Sequence, residues 1–210
     1  MDRYLYPRMD VQRIVTAILW PISIVLIFQR SVILAINGAR TDDFKPVYTA
    51  AVNFANRLPV YTENYDTVDP HYLYPPSGTL LMAPLAKLNP DHARWLFIAA
   101  SVAALVASAY LLVRFFGYRA SSWLFPALLT VFFVTEAVSN TLIFTNFNGF
   151  VLLGMTAFLL LLKNNRELWA GVMIGLTLSV KPVLAPLLLL PLLNRQWKAL
   201  IPAIGVPVVL

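Results

Sequence analysis

Residues 41–79 read TDDFKPVYTAAVNFANRLPVYTENYDTVDPHYLYPPSGT, a polar and aromatic stretch between long apolar segments. This stretch holds five of the ten acidic residues, five of the nine tyrosines and one of the two histidines. A polar connection of this length is uncommon unless it is functional or disordered. Tyrosines supply apolar surface that offsets the entropy of ordering, which favours an ordered loop. Because function collects in loops that a rigid scaffold presents, we expect this loop to be the active face.

The composition outside the loop is that of a membrane protein. Hydrophobic residues make up 59% of the chain and charged residues 12%, whereas soluble domains have about 25% charged residues. The net charge of +6 would suit nucleic acid in a soluble chain, but here the basic residues lie mostly at the ends of apolar segments. No cysteine is present, which excludes disulfides and thiol chemistry. The sequence therefore predicts an all-α polytopic membrane protein surrounded by lipid, with no nucleic-acid partner.

The apolar segments predict about six membrane crossings. Residues 14–36 are long enough, at about 1.5 Å per residue, to cross a hydrocarbon core of about 30 Å. The later segments are 90–116, 121–144, 147–162, 168–180 and 183–193, and a further one begins at residue 199. Because that last segment has no polar flank, we expect residues 1–210 to be one transmembrane domain that forms the N-terminal part of a longer protein.

The basic residues predict the orientation of the chain. Nine of the sixteen lie in the short flanks of one side: Arg3, Arg8, Arg13, Arg114, Arg119, Lys163, Arg166, Arg195 and Lys198. Such flanks stay in the cytoplasm. We therefore expect a multi-pass plasma-membrane protein whose loop 37–77 lies on the outer, periplasmic side.

Two short segments next to the loop have their own patterns. An amphipathic helix in the interface plane is predicted after Asp43, ending at Pro59. Its apolar face would carry Val47, Tyr48, Ala51, Val52, Ala55 and Leu58. Residues 77–88 are too short to span and contain Pro84, which indicates a re-entrant or interfacial half-helix. Asn89 and Pro90 then form the start signal of the next helix.

Asp42 and Asp43 are the candidate catalytic residues. A carboxylate at the membrane surface suits a general base that takes a proton from a hydroxyl group. The same residues would equally suit a helix N-cap, because the amphipathic helix begins immediately after them.

Arg30 and Lys181 are the candidate phosphate ligands. Arg30 lies inside an apolar segment, where an ionisable residue is costly and often functional, although its side chain could extend to the headgroups instead. Lys181 precedes Pro182 at the junction of two short apolar segments, and a lysine there could meet a phosphate or anchor the interface.

Other polar residues are candidates for substrate binding: His71, Tyr72, Tyr74, Glu136, Asn140, Asn146 and Asn148. Glu136 and Asn140 share one helical face, which predicts that they line a cavity or a helix interface. A single histidine beside a proline and tyrosines is more often structural, and asparagines on apolar helices more often serve packing. No spaced histidine pair and no glycine-rich phosphate loop is present, so we expect neither a zinc site nor a soluble nucleotide donor.

Several runs resemble glycosyltransferase family 87. The short elements are DFxxxY (Asp43, Phe44 and Tyr48), YPP at 74–76 and APL at 83–85. The longer runs are TDDFKPVY, DPHYLYPPSGTLLMAPL, NTLIFTNFNG and KPVLAPLLLLPLLNRQW. The resemblance extends from about residue 31 onward. It implies the GT-C fold and an enzyme that takes its sugar from a polyprenyl phosphate.

The longer runs are similar to the arabinan-building members of that family. This similarity implies inverting transfer of D-arabinofuranose from decaprenyl-phosphoryl-arabinofuranose to an arabinan or arabinogalactan acceptor, in α-1,3 linkage. The acidic residue that serves as catalytic base in the first outer loop of the family matches Asp43, with Asp42 beside it, and the reaction implies no metal or other cofactor. A mannosyltransferase of the same family, a lipid-linked-sugar flippase or other transporter, and a scaffolding subunit remain alternatives, and the oligomeric state stays open.

Overall fold

The computed structural model describes residues 6–36, 43–61 and 72–210, and the regular structure in these ranges is helical. The α-helices are α1 (Tyr6–Phe28), α2 (Phe44–Ala55), α3 (Pro76–Met82), α4 (Pro90–Phe115), α5 (Leu124–Val134), α6 (Glu136–Ile143), α7 (Asn148–Lys163), α8 (Glu167–Val180), α9 (Leu189–Leu193) and α10 (Trp197–Val209). Two 3₁₀ segments, Ala83–Lys87 and Pro182–Leu188, precede α4 and α9. The prediction of an all-α protein is confirmed.

The described residues contain fewer full-length spans than the six crossings expected. Val11–Ile36 and Pro90–Phe115, of 26 residues each, are long and apolar enough to cross a membrane. A third span is possible if α5 and α6, which meet at an angle of 65°, are taken together. The remaining apolar helices have 10–17 residues. The expectation of about six crossings stays a prediction, because the shorter helices fall below the length that marks a span by itself and some apolar runs are broken in three dimensions.

The first span is not a regular α-helix throughout. Its backbone is π-helical over Gln29–Ile33 before a last turn at Leu34–Ile36. Arg30 lies in this π-helical turn, and its Nε donates a hydrogen bond to the carbonyl of Phe133 at 3.1 Å. A π-helical turn is wider than an α-helical one, and this turn occurs where the Arg30 side chain contacts the end of α5.

Helix α1 runs parallel to α5. The rings of Trp20 and Phe125 meet edge to face with centroids 5.6 Å apart, and the Ser23 hydroxyl donates to the carbonyl of Pro126 at 2.9 Å. Helix α4 packs on α7, α7 on α8, and α8 on α10. Together these contacts make a bundle in which only α7 and α8 are sequence neighbours, while α1–α5, α4–α7 and α8–α10 are joined across intervening elements.

Two glycines let α8 and α10 approach closely. A Cβ atom at Gly171 would lie 2.0 Å from the carbonyl oxygen of Ala199, and one at Gly175 would lie 2.9 Å from that of Pro202. Glycines four residues apart on one face are a common means of bringing membrane helices into contact.

Helix α2 packs on protein, not along a free interface. Its buried residues include Phe44, Val47, Ala50 and Ala51, and it contacts α3 and the 3₁₀ segment that follows. Leu58, expected on the apolar face, lies beyond the helix end at Ala55 and is 55% exposed. Ala55 is exposed as well. The predicted face was therefore correct in its first turns and wrong at its C-terminal end, where no other described element covers it.

The local signals around residue 84 are confirmed. Helix α3 ends at Met82, and the 3₁₀ segment carries Pro84 in its first turn. The Asn89 side chain then accepts a hydrogen bond from the backbone amide of His92 at 2.8 Å, capping α4.

The basic residues gather at one end of the bundle. The Lys163 ammonium at the end of α7 donates to the carbonyl of Phe115 at the end of α4. Arg119 lies in the connection from α4 to α5, whose start is beside the start of α1. At the opposite end, the backbone amide of Asp43 donates to the carbonyl of Phe144 at 2.9 Å. The basic residues of the short flanks thus lie together at one end, while Arg94 and Lys181 lie towards the other, and the side of the membrane that each end faces stays a prediction.

Candidate functional site

A cavity of about 410 Å³ lies at the end of the bundle opposite the basic residues. Its lining comes from three separate parts of the chain: Asp43, residues 73–75 and residues 180–183. Two of its residues, Asp43 and Lys181, carry opposite formal charges. The structure therefore brings together an acidic and a basic residue that are 138 positions apart in the sequence.

Asp43 enters this cavity from the residue before α2. Its main chain is held by the hydrogen bond to Phe144, and its side chain is half-buried. The carboxylate occupies the N-cap position but makes no capping hydrogen bond to the helix. Of the two roles predicted for Asp43, general base and helix N-cap, the capping interaction is therefore not present in the structure. The carboxylate is free of the helix and lines the cavity.

Lys181 enters from the opposite wall. It ends α8 with φ −133° and ψ 86°, just before Pro182 begins the 3₁₀ segment, so the predicted junction is confirmed. The Lys181 ammonium donates a hydrogen bond to Oδ1 of Asn148. The backbone amide of Asn148 donates in turn to Oδ1 of Asn146 at 3.1 Å. This chain of contacts fixes the cation at the cavity wall.

Tyr74 lines the same cavity as these two charged groups. Its ring packs edge to face on Phe147 with centroids 4.9 Å apart. Burial raises the pKa of the Tyr74 hydroxyl to about 12, the nearby negative charge of Asp43 adds to this, and a backbone hydrogen bond with Phe147 acts in the opposite direction. The hydroxyl therefore stays protonated at neutral pH, where it remains able to donate a hydrogen bond.

Tyr72 supports the loop and does not line the cavity. It is 1% exposed, and its hydroxyl contacts that of Thr79 and donates to the carbonyl of Pro75 at 3.1 Å. Burial is the main cause that raises the pKa of Tyr72. The Tyr61 hydroxyl donates to the carbonyl of Tyr74 at 2.9 Å. These bonds hold the backbone that presents Tyr74.

The turn between α6 and α7 contains residues that the sequence did not single out. Thr145 has φ 54°, a left-handed conformation that is unusual for a β-branched residue. The Arg94 side chain donates to Thr145 Oγ1 at 3.4 Å and to the carbonyl of Ile143 at 3.5 Å. This turn holds both Phe144, which binds the Asp43 amide, and Asn146. Strained backbone of this kind often occurs at functional sites.

Ser77 is a second residue that the sequence did not single out. It is 4% exposed, and its hydroxyl donates to the carbonyl of Ser179. The bond joins the start of α3, next to Tyr74, to the last turn of α8, next to Lys181. The sequence shows a serine directly after the YPP run. It could not predict this contact, because the partner of Ser77 lies 102 residues away.

Some of the predicted site residues do not line the cavity. Arg30 contacts the end of α5. Glu136, expected to face a cavity or helix interface, is exposed, because α6 begins after the bend at Thr135 and not in the middle of a straight span. Asn140, on the same short helix, is half-buried and does not line it either. Asp42 and His71 lie outside the described residues.

A larger, apolar cavity adjoins the polar one. It measures about 510 Å³ and lies between the helices behind Val180, which lines both cavities. Its other walls include Met82, Phe97, Phe147 and Met173. In residues 6–36, 43–61 and 72–210 no group of three histidine or acidic side chains is placed to hold a metal ion. The expectation of a metal-independent reaction stays a prediction.

The fold and the two cavities define a helical membrane protein with a charged site at one end of its bundle and an apolar chamber beside it. The profile of glycosyltransferase family 87 matches residues 72–210. The chain belongs to this family, which confirms the resemblance found in the sequence.

Relatives from three actinobacterial species are similar over most of the chain. The alpha-(1->3)-arabinofuranosyltransferases of Mycolicibacterium smegmatis and Mycobacterium tuberculosis are 54% and 51% identical over 199 residues, which is 93% of this chain. That of Corynebacterium glutamicum is 44% identical over 194 residues, or 92% of the chain. The chain spans 46% of the length of each of these relatives. No solved structure matches it.

Proposed function

We propose that this chain carries the donor-facing part of an integral-membrane, inverting arabinofuranosyltransferase. The enzyme would move D-arabinofuranose from decaprenyl-phosphoryl-arabinofuranose to an arabinan acceptor, forming an α-1,3 branch at the outer face of the plasma membrane. The identity of 44–54% to proteins named alpha-(1->3)-arabinofuranosyltransferase supports the sugar and the linkage. The observation that carries the chemistry is the pairing of Asp43 and Lys181 around one cavity.

The reaction needs one base and one cation. The Asp43 carboxylate takes the proton of the acceptor hydroxyl as that oxygen forms a bond to the anomeric carbon of the sugar. The bond from the anomeric carbon to the phosphate oxygen breaks, and its electron pair leaves with the polyprenyl phosphate. The Lys181 ammonium stabilises the charge that develops there. Tyr74, protonated at neutral pH, is placed to donate a hydrogen bond to a sugar or phosphate oxygen.

The adjoining cavities suit a donor that is half polar and half lipid. With the phosphate at Lys181 and the sugar towards Asp43, the first isoprene units would enter the apolar chamber behind Val180. An apolar chamber offers no favourable site to a sugar or a nucleotide. This arrangement supports a polyprenyl-phosphate sugar as the donor.

The test is transfer by purified protein in nanodiscs. Labelled decaprenyl-phosphoryl-arabinofuranose and a synthetic arabinan are supplied, with the M. smegmatis relative as positive control. Because the chain spans under half of that relative, a second arm fuses the remainder of the relative to Leu210. We expect label on the acceptor in α-1,3 linkage, at least in the fused form.

Two outcomes of this assay would contradict the proposal. Transfer of mannose in preference to arabinofuranose would indicate a mannosyltransferase of the same family. Movement of the intact lipid-linked sugar across the bilayer, with no product in either arm, would indicate a transporter.

A further inference from the structure

A third cavity lies at the basic end of the bundle, away from Asp43 and Lys181. It measures about 360 Å³ and lies between the start of α1 and the start of α5. It is lined by Gln12, Arg13, Thr16, Ala17, Ser121, Ser122 and Trp123. Nothing in the proposed transfer reaction uses these residues. The cavity thus lies outside the site proposed for sugar transfer.

The polar groups of this cavity favour an anion. Arg13 is exposed, and within the described ranges its guanidinium forms no hydrogen bond or ion pair. The Ser122 hydroxyl is buried and has no hydrogen-bond partner among the described residues. Buried hydroxyls are normally satisfied, so an unpartnered one beside a cation indicates a missing acceptor.

The start of α5 adds no backbone donor to the cavity. The amide of Phe125 donates to the carbonyl of Ser122 at 3.2 Å, and Pro126 has no amide hydrogen. The donors that an anion would meet here are therefore side chains, above all those of Arg13 and Ser122.

The surroundings favour a lipid over a free ion. Ile14 and Ile18 on α1 are 58% and 56% exposed next to the cavity, and Trp123 on its rim is 38% exposed. Exposed isoleucines on a span contact acyl chains, and tryptophans concentrate at the membrane interface. Basic pockets between spans at a basic membrane face bind anionic headgroups. We infer that this cavity binds the phosphodiester of an anionic phospholipid, with the acyl chains lying along α1.

This site is independent of the transfer site in both position and chemistry. It rests on Arg13 and Ser122 at the starts of α1 and α5, and the cavity of Asp43 lies beyond the other ends of the spans. Loss of lipid binding would therefore leave the proposal for Asp43 untouched, and absence of sugar transfer would leave the lipid site untouched.

The test is a lipid titration of the purified chain in detergent, read by native mass spectrometry. Phosphatidylglycerol is compared with phosphatidylcholine, and wild type with Arg13→Gln, Ser122→Ala and the control Arg166→Gln. The control removes one charge from the same end of the bundle but does not line the cavity. Melting temperatures measured without added lipid establish that each variant is folded.

We expect one phosphatidylglycerol to bind more tightly than phosphatidylcholine. Arg13→Gln should weaken it about tenfold, as for loss of one charge-assisted contact, and Ser122→Ala about threefold. Arg166→Gln should bind like wild type. Equal affinity for the two lipids, or equal loss in Arg13→Gln and Arg166→Gln, would overturn the inference. Displacement of the lipid by millimolar inorganic phosphate would assign the cavity to a free anion instead and contradict the lipid.

Discussion

The ammonium group of Lys181 donates a hydrogen bond to the side-chain carbonyl of Asn148, and this contact joins the end of α8 to the start of α7. Asn148 itself does not line the Asp43 cavity, whereas Lys181 does. In the reaction proposed above, the asparagine would be a positioning residue, because it would act on a donor phosphate only through the lysine.

We predict a graded loss of donor use when this pair is disrupted. Asn148→Ala should raise KM for the lipid donor about fivefold, the equivalent of one ordinary hydrogen bond, and leave kcat near wild type. Lys181→Gln should have a larger effect, about 10–100-fold, because it removes the charge itself. Donor titrations at saturating acceptor measure both. Asn164→Ala, at the far end of α7, serves as control.

Two results would contradict this role for the pair. Wild-type donor kinetics in Lys181→Gln would remove the lysine from the site. An equal rise of KM for donor and acceptor in Asn148→Ala would point to a general loss of structure, not to positioning.

The Tyr74 hydroxyl should lose its proton at a higher pH than an ordinary tyrosine. Because the pKa of Tyr74 is raised from 10 to about 12, the folded protein keeps a proton between these values that the unfolded chain releases. The stabilisation is complete below pH 10 and is lost as the pH rises towards 12. We expect the absorbance titration of Tyr74→Phe to lack one tyrosinate step near pH 12. Between pH 10 and 12, the free energy of unfolding of this variant should fall less than that of wild type. Loss of a step near pH 10 instead, with the same change of stability between pH 10 and 12 as wild type, would show that Tyr74 is not buried beside Asp43.

The close approach of α8 and α10 predicts opposite effects at two glycines. Gly171→Ala would place a methyl group against the Ala199 carbonyl at 2.0 Å, so α10 must shift and the melting temperature should fall. Gly205, within α10, has nothing within 4 Å of its Cβ position. Gly205→Ala should therefore be neutral or stabilise by up to about 1 kcal/mol, through helix propensity alone. Thermal unfolding in one detergent compares the two; equal shifts would contradict the packing of these helices.

The basic residues of the short flanks, which lie at one end of the bundle, predict the orientation in the membrane. The chain has no cysteine, so single cysteines can be introduced without background. A cysteine at Asn56, exposed beyond α2, should react with an impermeant thiol reagent in intact cells. One at Arg119 should react only after permeabilisation. The reverse labelling pattern would place the Asp43 cavity on the cytoplasmic side and contradict an outer-face enzyme.

The sequence was most informative where one residue sets the local backbone. Pro84 breaks the apolar segment after the loop, the Asn89 cap starts α4, and Lys181 lies at a helix junction because Pro182 follows it. These features depend on neighbours within a few positions. These features can therefore be predicted from the sequence alone.

Tertiary features had no comparable signal. The 65° bend at Thr135 involves neither proline nor glycine, and the left-handed Thr145 is held by Arg94, 51 residues away. The exposure of Glu136 follows from that bend. The breaks that leave two or three full-length spans had no sequence signal either, because hydropathy measures apolar length along the chain and not its continuity in space.

The central claim is that the Asp43 carboxylate is the base for sugar transfer, and Asp43→Asn tests it most directly. Asparagine has nearly the same shape, and the Asp43 side chain makes no capping hydrogen bond that could be lost, so the fold should be kept. The measurement is single-turnover transfer of label from decaprenyl-phosphoryl-arabinofuranose, with donor affinity measured in parallel and Asp91→Asn, in the first turn of α4, as control. It is made in whichever form of the protein, the chain alone or its fusion, transfers label.

We predict that Asp43→Asn lowers the transfer rate by about 10²–10⁴-fold, the range for loss of a general base, while donor affinity and melting temperature stay at wild-type values. Asp91→Asn should transfer normally. Turnover near the wild-type rate in Asp43→Asn would contradict the account and leave the neighbouring Asp42 as the residue to test.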